Sequence, residues 1–393
     1  MWFGRAGGRW LSSIVRALGR GYTRPWPSHP RPREIDVELV RIRKDIARLV
    51  GYVPGEQPQE PGWIKLNTNE SFECSPAALE AVRSLGAVEL TRYPDPLCSG
   101  VTAILAESFG VGAERVVVGN GSDDIVNLII RSVCGPGDRL VCTRPSYSLY
   151  PVLAAIQGVE AVEIPLLEGF ALPLRQLCST RGAVAFVASP NNPAGTLYPP
   201  DQVAELCRSG QNLVVVDEAY VEFAETNCAG LLEDFPNVCL VRSLSKAYGL
   251  AGLRVGYMVG PPDLAEAVLK VKDSYNVNRA AQAAAIAALG DVDWARTTWQ
   301  GVIERRERFR TLLEEEFGLR AYPSQANFVL VDFGGKSATA AQEALRRKRI
   351  LVRRLEGAPI TRNCLRITIG SDSEMGVLVE ALRGHLQPEA VAQ

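Results

Sequence analysis

The chain has 393 residues, of which 47% are apolar, and this length suits about two or three structural units of ordinary size. Its 43 basic residues nearly balance its 44 acidic ones, so no net field attracts nucleic acid or an anionic membrane. The longest nearly continuous apolar run, 280–289, has about half the length that a bilayer span needs. Composition therefore excludes a membrane protein and a protein recruited to nucleic acid by its charge.

The nine cysteines and two histidines limit the possible chemistry. The cysteines are odd in number and scattered, without a C-x-x-C pair, which argues against a disulfide framework or structural zinc and favours reduced thiols in a cytosol. His29 and His385 lie near the chain ends, which argues against Ser-His-Asp triads, Cys-His dyads and histidine-rich metal centres. We expect no metal, and the base of any enzymatic reaction must be another residue type.

The first 33 residues differ from the rest because they hold seven arginines and no acidic residue. The segment resembles an organellar transit peptide, but we favour a disordered or mis-started extension that ends in a Pro-rich linker at 25–32. A cytoplasmic location is therefore predicted, with organellar targeting as the lesser alternative. Residues 34–75 are interpreted as an N-terminal arm.

Short β-branched runs then alternate with helical or looped stretches, which is typical of βαβ units. The predicted strands are 115–118, 139–142, 159–164, 183–188, 213–216, 238–241 and 255–259. Because such runs are apolar throughout, they predict a mostly parallel sheet that is buried on both faces. We assign residues 76–285 to a large α/β domain.

Helical periodicity dominates 262–317, and a mixed segment follows it. In that segment we predict strands at 327–332, 350–353 and 365–369, a helix around 338–348, and a last helix from residue 373. Residues 286–393 are therefore predicted to form a second, smaller α/β domain at the C-terminus.

Ligands of open α/β sheets bind beyond the carboxyl ends of the strands, so the residues that follow each strand are the candidate site residues. The motif GNGSD at 119–123 opens a helix, where backbone N–H groups can hold a phosphate, although it lacks the third glycine of a dinucleotide fingerprint. The later strands are followed by seven polar residues, namely Asn192, Asp217, Tyr220, Ser243, Ser245, Lys246 and Arg254.

These residue types together supply what one cofactor demands. A lysine can hold an aldehyde as a Schiff base, and a carboxylate can keep a pyridine nitrogen protonated. Hydroxyls, an arginine and a helix N-terminus can neutralise a phosphate, while an asparagine and a tyrosine can hydrogen-bond a ring phenolate. A lone lysine is usually a surface charge; the spacing of the whole set favours the functional interpretation.

The order of these residues resembles that of the fold-type I pyridoxal-phosphate aminotransferases, from about Tyr52 to the C-terminus. The resemblance implies an α/β fold in which a large domain, with a mostly parallel sheet between helices, precedes a smaller C-terminal one. It also implies that Lys246 is the Schiff-base lysine and proton shuttle, and that Asp217 pairs with the pyridine nitrogen. Asn192 and Tyr220 would bind the ring oxygen.

The same resemblance assigns the remaining contacts to pyridoxal 5'-phosphate. It implies a phosphate cup formed by Ser122, Asp123, Ser243, Ser245 and Arg254. Tyr147 matches the aromatic residue that stacks on the ring. Tyr93 matches a tyrosine that reaches the cofactor phosphate of the neighbouring subunit, which implies a homodimer.

Four stretches indicate the substrate. The strand around Arg366 resembles one whose arginine binds a substrate carboxylate, and arginine suits that role because its donors pair in a bidentate way. The stretches 51–55, 65–70 and 350–353 resemble the histidinol-phosphate aminotransferase branch, in which Tyr52 and Asn69 would close the site and Arg353 would hold a phosphate. The implied partners are histidinol phosphate as amino donor and 2-oxoglutarate as acceptor.

The sequence departs from that branch at three places: Ser71-Phe72, Asp124 and Ala194 stand where Asn-Pro, Glu and Thr are usual. The first lies beside the substrate arm, so two sibling activities stay open, an aromatic amino-acid aminotransferase and a phospho-amino-acid decarboxylase. A cofactor-sensing regulator would need a DNA-binding module, for which the arginine-rich tail is too short. A nucleotide-binding module is disfavoured because both glycine motifs are incomplete: GNGSD at 119–123 lacks the third glycine, and GKS at 335–337 lacks the first glycine of a P-loop.

Overall fold

The computed structural model describes residues 42–355 and 357–387, so the basic N-terminal extension, its linker and His29 lie outside the described residues. In this part of the chain, none of the helices combines the length and the apolar character needed to cross a bilayer. The strands are β1 (Ile64–Leu66), β2 (Val116–Gly119), β3 (Arg139–Arg144), β4 (Glu160–Pro165), β5 (Val184–Ala188), β6 (Val214–Asp217), β7 (Val238–Ser243), β8 (Gly256–Val259), β9 (Arg320–Ala321), β10 (Phe328–Asp332), β11 (Ile350–Arg354) and β12 (Cys364–Thr368).

Helices cover both sheets that these strands form. In the described ranges they are α1 (Lys44–Arg48), α2 (Pro76–Arg83), α3 (Ala87–Thr91), α4 (Ser99–Phe109), α5 (Ser122–Val133), α6 (Leu149–Gln157), α7 (Leu174–Ser179), α8 (Pro200–Arg208), α9 (Leu231–Asp234), α10 (Pro262–Val271), α11 (Arg279–Gly290), α12 (Val292–Glu315), α13 (Ala338–Arg347) and α14 (Asp372–Leu386).

The larger sheet has seven strands in the order β2-β8-β7-β6-β5-β3-β4. Strands β7, β6, β5, β3 and β4 are parallel to one another, and β8 runs antiparallel to both of its neighbours. The prediction of a mostly parallel sheet is thus confirmed. Because β8 is antiparallel to both neighbours, β2 runs in the same direction as β7. The residues just before β8 therefore lie at the edge of the sheet where the six other strands have their carboxyl ends.

Both faces of this sheet are buried, as the apolar runs predict. Successive side chains of a strand point to opposite faces, and along β6 Val214 and Val216 enter one core while Val215 enters the other. Helices α4, α8 and α11 contribute to the first core, and α5, α6 and α10 to the second. Polar side chains such as Asp217 therefore stand at the strand ends, where the apolar cores stop.

The smaller sheet has five strands in the order β1-β11-β12-β10-β9, and only the β1–β11 pair is parallel. Helices α13 and α14 and part of α12 pack on it through residues such as Leu345, Leu378 and Leu313. Strands β1 and β9, which are three and two residues long, were not predicted from the sequence. Since β1 lies in the segment interpreted as an arm and pairs with β11, that segment shares a sheet with the small domain; the domain boundaries stay a prediction.

Candidate active site

A cavity of about 780 Å³ lies between the two sheets and is lined by residues from both. Of the predicted site residues, all but Tyr93 line it. They are Tyr52, Asn69, Ser122, Asp123, Tyr147, Asn192, Asp217, Tyr220, Ser243, Ser245, Lys246, Arg254, Arg353 and Arg366. The carboxyl ends of β5, β6 and β7 contribute to one side, and β11, β12 and the segment after β1 contribute to the other.

The N-terminus of α5 meets an arginine and two serines at one end of this cavity. Arg254 donates to Asp123 Oδ2 and to Ser245 Oγ, both at 3.2 Å. The backbone N–H of Ser245 donates to Ser243 Oγ at 3.1 Å. Helix N-termini favour anions because their first N–H groups have no partner within the helix and the helix dipole is positive there. This end of the cavity therefore suits a phosphate.

Two glycines allow this close approach. Gly121 has a φ of +92°, and a Cβ on it would lie 2.5 Å from Arg254 Nη2. A Cβ on Gly256 would lie 2.2 Å from the backbone nitrogen of Ser122. Side chains at either position would displace the arginine or the helix start, so the glycines leave room for a backbone cradle of the kind that holds phosphate esters.

Lys246 follows β7 and its Nζ donates to the carbonyl oxygen of Thr68 at 3.2 Å. Burial, together with the positive charge of Arg366, lowers the pKa of the Lys246 amine to about 8. An amine with such a pKa is partly unprotonated near neutral pH, so it can act as a nucleophile and as a base.

Asp217 ends β6 and is buried. Its Oδ2 accepts a hydrogen bond from the Tyr150 hydroxyl at 2.5 Å, and its Oδ1 accepts one from the Ala219 N–H at 3.2 Å. Burial raises the pKa of the Asp217 carboxyl to about 6, against the opposing effect of the Tyr150 hydrogen bond. Its charged form would be stabilised by a cationic ligand group such as a protonated ring nitrogen.

Aromatic rings form another wall of the cavity. The Tyr147 hydroxyl donates to Asp123 Oδ1 at 2.9 Å, and the Tyr147 ring lies edge-on to the Tyr52 ring at 6.0 Å between centroids. The Tyr220 hydroxyl accepts a hydrogen bond from Asn69 Nδ2 at 2.9 Å. The wall offers a flat ligand both an aromatic surface and polar groups at its edge.

Two arginines extend from the small sheet. Arg353 and Arg366 are direct partners in the register of β11 and β12 and therefore share a face of the sheet. Arg366 donates to Asn192 Oδ1 at 2.6 Å and to the Asn67 carbonyl oxygen at 2.8 Å, and within the described residues nothing accepts from its buried Nε. Burial lowers the pKa of Arg366. The pair offers donors and positive charge to an anionic group.

Tyr93 lies outside this cavity. Its side chain is 76% exposed, and its ring stacks on that of Tyr275 at 4.4 Å between centroids. The predicted contact of Tyr93 with a neighbouring subunit therefore stays a prediction.

All nine cysteines lie among the described residues as free thiols.

Several residues that support the site were not predicted from the sequence. Tyr150 contacts Asp217, Thr68 contacts Lys246 through its carbonyl group, and the Thr368 hydroxyl donates to Asn69 Oδ1 at 3.2 Å. Backbone contacts such as that of Thr68 leave no signal in a sequence. Tyr150 leaves an ambiguous signal, because a tyrosine three residues after Tyr147 in an apolar stretch also fits the core.

Comparison with known proteins places the chain among aminotransferases. The family model for aminotransferase class I and II matches residues 61–382. The chain is 39% identical to histidinol-phosphate aminotransferase 1 of Nostoc sp. over 348 residues, which cover 88% of this chain and 98% of that protein. It is 38% identical to histidinol-phosphate aminotransferase 1 of Trichormus variabilis, again covering 88% of this chain and 99% of that protein.

A solved structure is also similar. The histidinol-phosphate aminotransferase from Sinorhizobium meliloti, crystallised in complex with pyridoxal 5'-phosphate, matches with a TM-score of 0.75 at 31% identity. The match covers 82% of this chain and 91% of that one. The overall architecture of the two proteins is therefore the same, including the predicted fold with a large and a small α/β domain.

Proposed function

The chain belongs to the class I and II aminotransferase family, and we propose that it transfers the amino group of L-histidinol phosphate to 2-oxoglutarate. The products would be imidazole acetol phosphate and L-glutamate, as in histidine biosynthesis. The observation that carries the proposal is the meeting, in one cavity, of a lysine of lowered pKa, a buried carboxylate, a phosphate cradle and two adjacent arginines.

Pyridoxal 5'-phosphate is the cofactor of this transaminase, and the residues of the cavity fit it. When bound, it supplies an aldehyde that takes up the amino group and a protonated ring that withdraws electrons from the reacting carbon. Ser122, Ser243, Ser245 and Arg254 would hold its phosphate, and Asp217 its ring nitrogen. Asn192 and Tyr220 would hold the ring oxygen, with Tyr147 against the ring face.

Lys246 would hold the aldehyde and would then move the proton of the reaction. Its amine takes the proton from Cα of the amino donor, and it can do so near neutral pH because burial and Arg366 lower its pKa to about 8. The hydrogen bond to the Thr68 carbonyl oxygen ties its Nζ to the segment after β1. Lys246 thus stands where residues of both sheets meet.

The paired arginines support a doubly anionic substrate. Like charges directly opposite each other on neighbouring strands destabilise a sheet, so the Arg353–Arg366 pair is better explained by a ligand than by packing. Histidinol phosphate carries a phosphate, and 2-oxoglutarate carries two carboxylates. Both compounds use the same cavity in turn, and each would bring negative charge to these guanidinium groups.

We also propose a homodimer in which Tyr93 of each subunit would reach the cofactor phosphate of its neighbour. Val88, Leu90 and Leu97, which are close to Tyr93 in the sequence, are exposed apolar side chains. They support the proposal because exposed apolar surface favours association. Sedimentation should give twice the chain mass of 42.7 kDa, whereas a single-chain mass would refute the dimer.

A cytoplasmic location is likewise proposed, and fractionation of the source cells would test it.

The substrate is tested by mixing the purified holoenzyme with each donor in turn. Histidinol phosphate should convert the yellow cofactor band to that of the amino form, and 2-oxoglutarate should restore it. Phenylalanine and threonine phosphate are the comparison donors. A higher kcat/KM for phenylalanine would favour an aromatic aminotransferase, and release of CO2 from threonine phosphate would favour a decarboxylase.

A further inference from the structure

Tyr150 contacts the candidate active site without lining its cavity. Its side chain is fully buried at the start of α6, and its hydroxyl donates to Asp217 Oδ2 at 2.5 Å. Its position makes it a direct support of the carboxylate that would hold the ring nitrogen of the cofactor.

The Tyr150 ring is fixed from two sides. The Phe186 ring on β5 stacks on it at 4.9 Å with an interplanar angle of 25°, and the Tyr147 ring meets it edge-on at 5.6 Å. A ring held in this way cannot turn its hydroxyl away from Asp217 without disturbing the core. Tyr150 therefore couples the acid to Tyr147, the aromatic residue expected against the cofactor ring.

Other charged groups that face Asp217 have partners of their own. Asp123 and Glu218 are the carboxylates nearby, and both disfavour a negative charge on Asp217. Asp123 is bonded to Arg254 at 3.2 Å, and Glu218 to Arg242 at 2.7 Å. The Tyr150 hydroxyl and the Ala219 N–H are thus the groups that favour the ionised form of Asp217 through hydrogen bonds.

We propose that Tyr150 is a positioning residue for transamination, whose hydroxyl orients Asp217 and keeps its carboxylate ionised so that the ring nitrogen of the cofactor retains its proton. The inference rests on the proposed function. A carboxylate that loses a buried donor becomes more basic, and it then competes with the ring nitrogen for the proton. A neutral ring withdraws electrons less well and slows proton removal from the donor.

The test is Tyr150→Phe in the holoenzyme, with two spectroscopic readouts. With cofactor labelled at the ring nitrogen, the 15N signal should move toward that of an unprotonated pyridine. The pH midpoint of the visible absorbance band should rise by about one unit. A ring that has lost its positive charge opposes protonation of the nitrogen at Lys246 less strongly. We expect kcat to fall about tenfold or more, with a smaller change in KM.

Tyr198→Phe is the matched control. Tyr198 is also buried, at 2% exposure, and its hydroxyl donates to the Phe170 carbonyl oxygen at 3.0 Å, away from the cavity. Removing either hydroxyl deletes one buried hydrogen bond, so both variants should lose some resistance to denaturant. The 15N signal and the pH midpoint should change in Tyr150→Phe and stay at the wild-type values in Tyr198→Phe.

A second variant serves if Tyr150→Phe does not fold. Replacement of Tyr150 by 3-fluorotyrosine keeps the shape and strengthens the donor, so the pH midpoint should move downward. Wild-type spectra in Tyr150→Phe, or equal changes in Tyr150→Phe and Tyr198→Phe, would overturn the inference. If the wild-type protein itself develops no visible band with the cofactor, the proposed function fails, and this inference fails with it.

Discussion

Arg366 of β12 donates a 2.6 Å hydrogen bond to Asn192 in the loop after β5, and this bond joins the small sheet to the large one. A second bond, from Arg366 to the Asn67 carbonyl oxygen at 2.8 Å, ties the guanidinium to the segment after β1. The arginine is thus oriented by both sheets before any ligand contacts it. An oriented guanidinium loses little freedom when it binds a carboxylate, which is why arginine is suited to this position.

Arg366→Lys should weaken the binding of substrates that carry a carboxylate. A lysine keeps the charge but loses the planar fork, so it cannot bind Asn192 and a carboxylate together. We expect KM for glutamate and 2-oxoglutarate to rise tenfold or more in steady-state assays. A rise of that order corresponds to the loss of about one charge-assisted hydrogen bond. Arg308→Lys is the control, because Arg308 lies on α12, is 63% exposed and does not line the cavity. An unchanged KM in Arg366→Lys would remove the substrate role.

Arg353→Ala separates phosphate recognition from general binding. Arg353 shares its sheet face with Arg366, and its Nη2 donates to the Val53 carbonyl oxygen at 3.3 Å. Its loss should raise KM for histidinol phosphate far more than KM for phenylalanine, because only the first donor carries a phosphate. Arg347→Ala on α13 should affect neither value. Equal increases for both donors would show that Arg353 supports the cavity rather than the phosphate.

Lys246 can be examined without any cofactor. Burial and Arg366 lower the pKa of its amine to about 8, against about 10.4 for an ordinary lysine. Competitive acetylation of the apoenzyme across a pH series, read by mass spectrometry, should give Lys246 a reactivity midpoint near 8. A lysine-containing model peptide in the same tube provides the reference. A midpoint equal to that of the peptide would contradict the burial that the structure shows.

Replacing the same lysine tests its chemical role. Lys246→Ala removes the amine that would hold the aldehyde, so the holoenzyme should lose its yellow band, and turnover should fall by orders of magnitude. Persistence of both band and turnover would show that another residue carries the reaction.

The order of polar residues after the strands predicted much of the site, because parallel strands bring their carboxyl ends to one edge. Asp217 and Ser243 end the neighbouring strands β6 and β7, and Lys246 follows β7. They line one cavity together with the other predicted residues apart from Tyr93. Tyr150 was missed because a tyrosine in an apolar helix is also typical of a hydrophobic core. The contact of its hydroxyl with Asp217 depends on how α6 packs on the sheet. The three-residue strand β1 was missed because it is stabilised by a parallel partner, β11, almost 300 residues away.

Asp217→Asn should separate stability from function. In the apoenzyme, burial raises the pKa of Asp217 to about 6, above the value of about 3.9 for an unfolded chain. Between pH values of about 3.9 and about 6 the native state therefore binds more protons than the unfolded state. The contribution of Asp217 to the unfolding free energy of the wild type is lost as the pH rises through about 6. Asparagine does not titrate and can still accept the Tyr150 hydrogen bond.

The difference in unfolding free energy, Asp217→Asn minus wild type, should therefore increase by about 1 kcal/mol between pH 5 and pH 8. Urea unfolding of both apoenzymes at several pH values measures it. The substitution also removes the charge that would hold the ring proton, so transamination by the holoenzyme should fall by orders of magnitude. A pH-independent difference would contradict the raised pKa, whereas a wild-type rate would contradict the role of Asp217 at the ring nitrogen; either result can occur without the other.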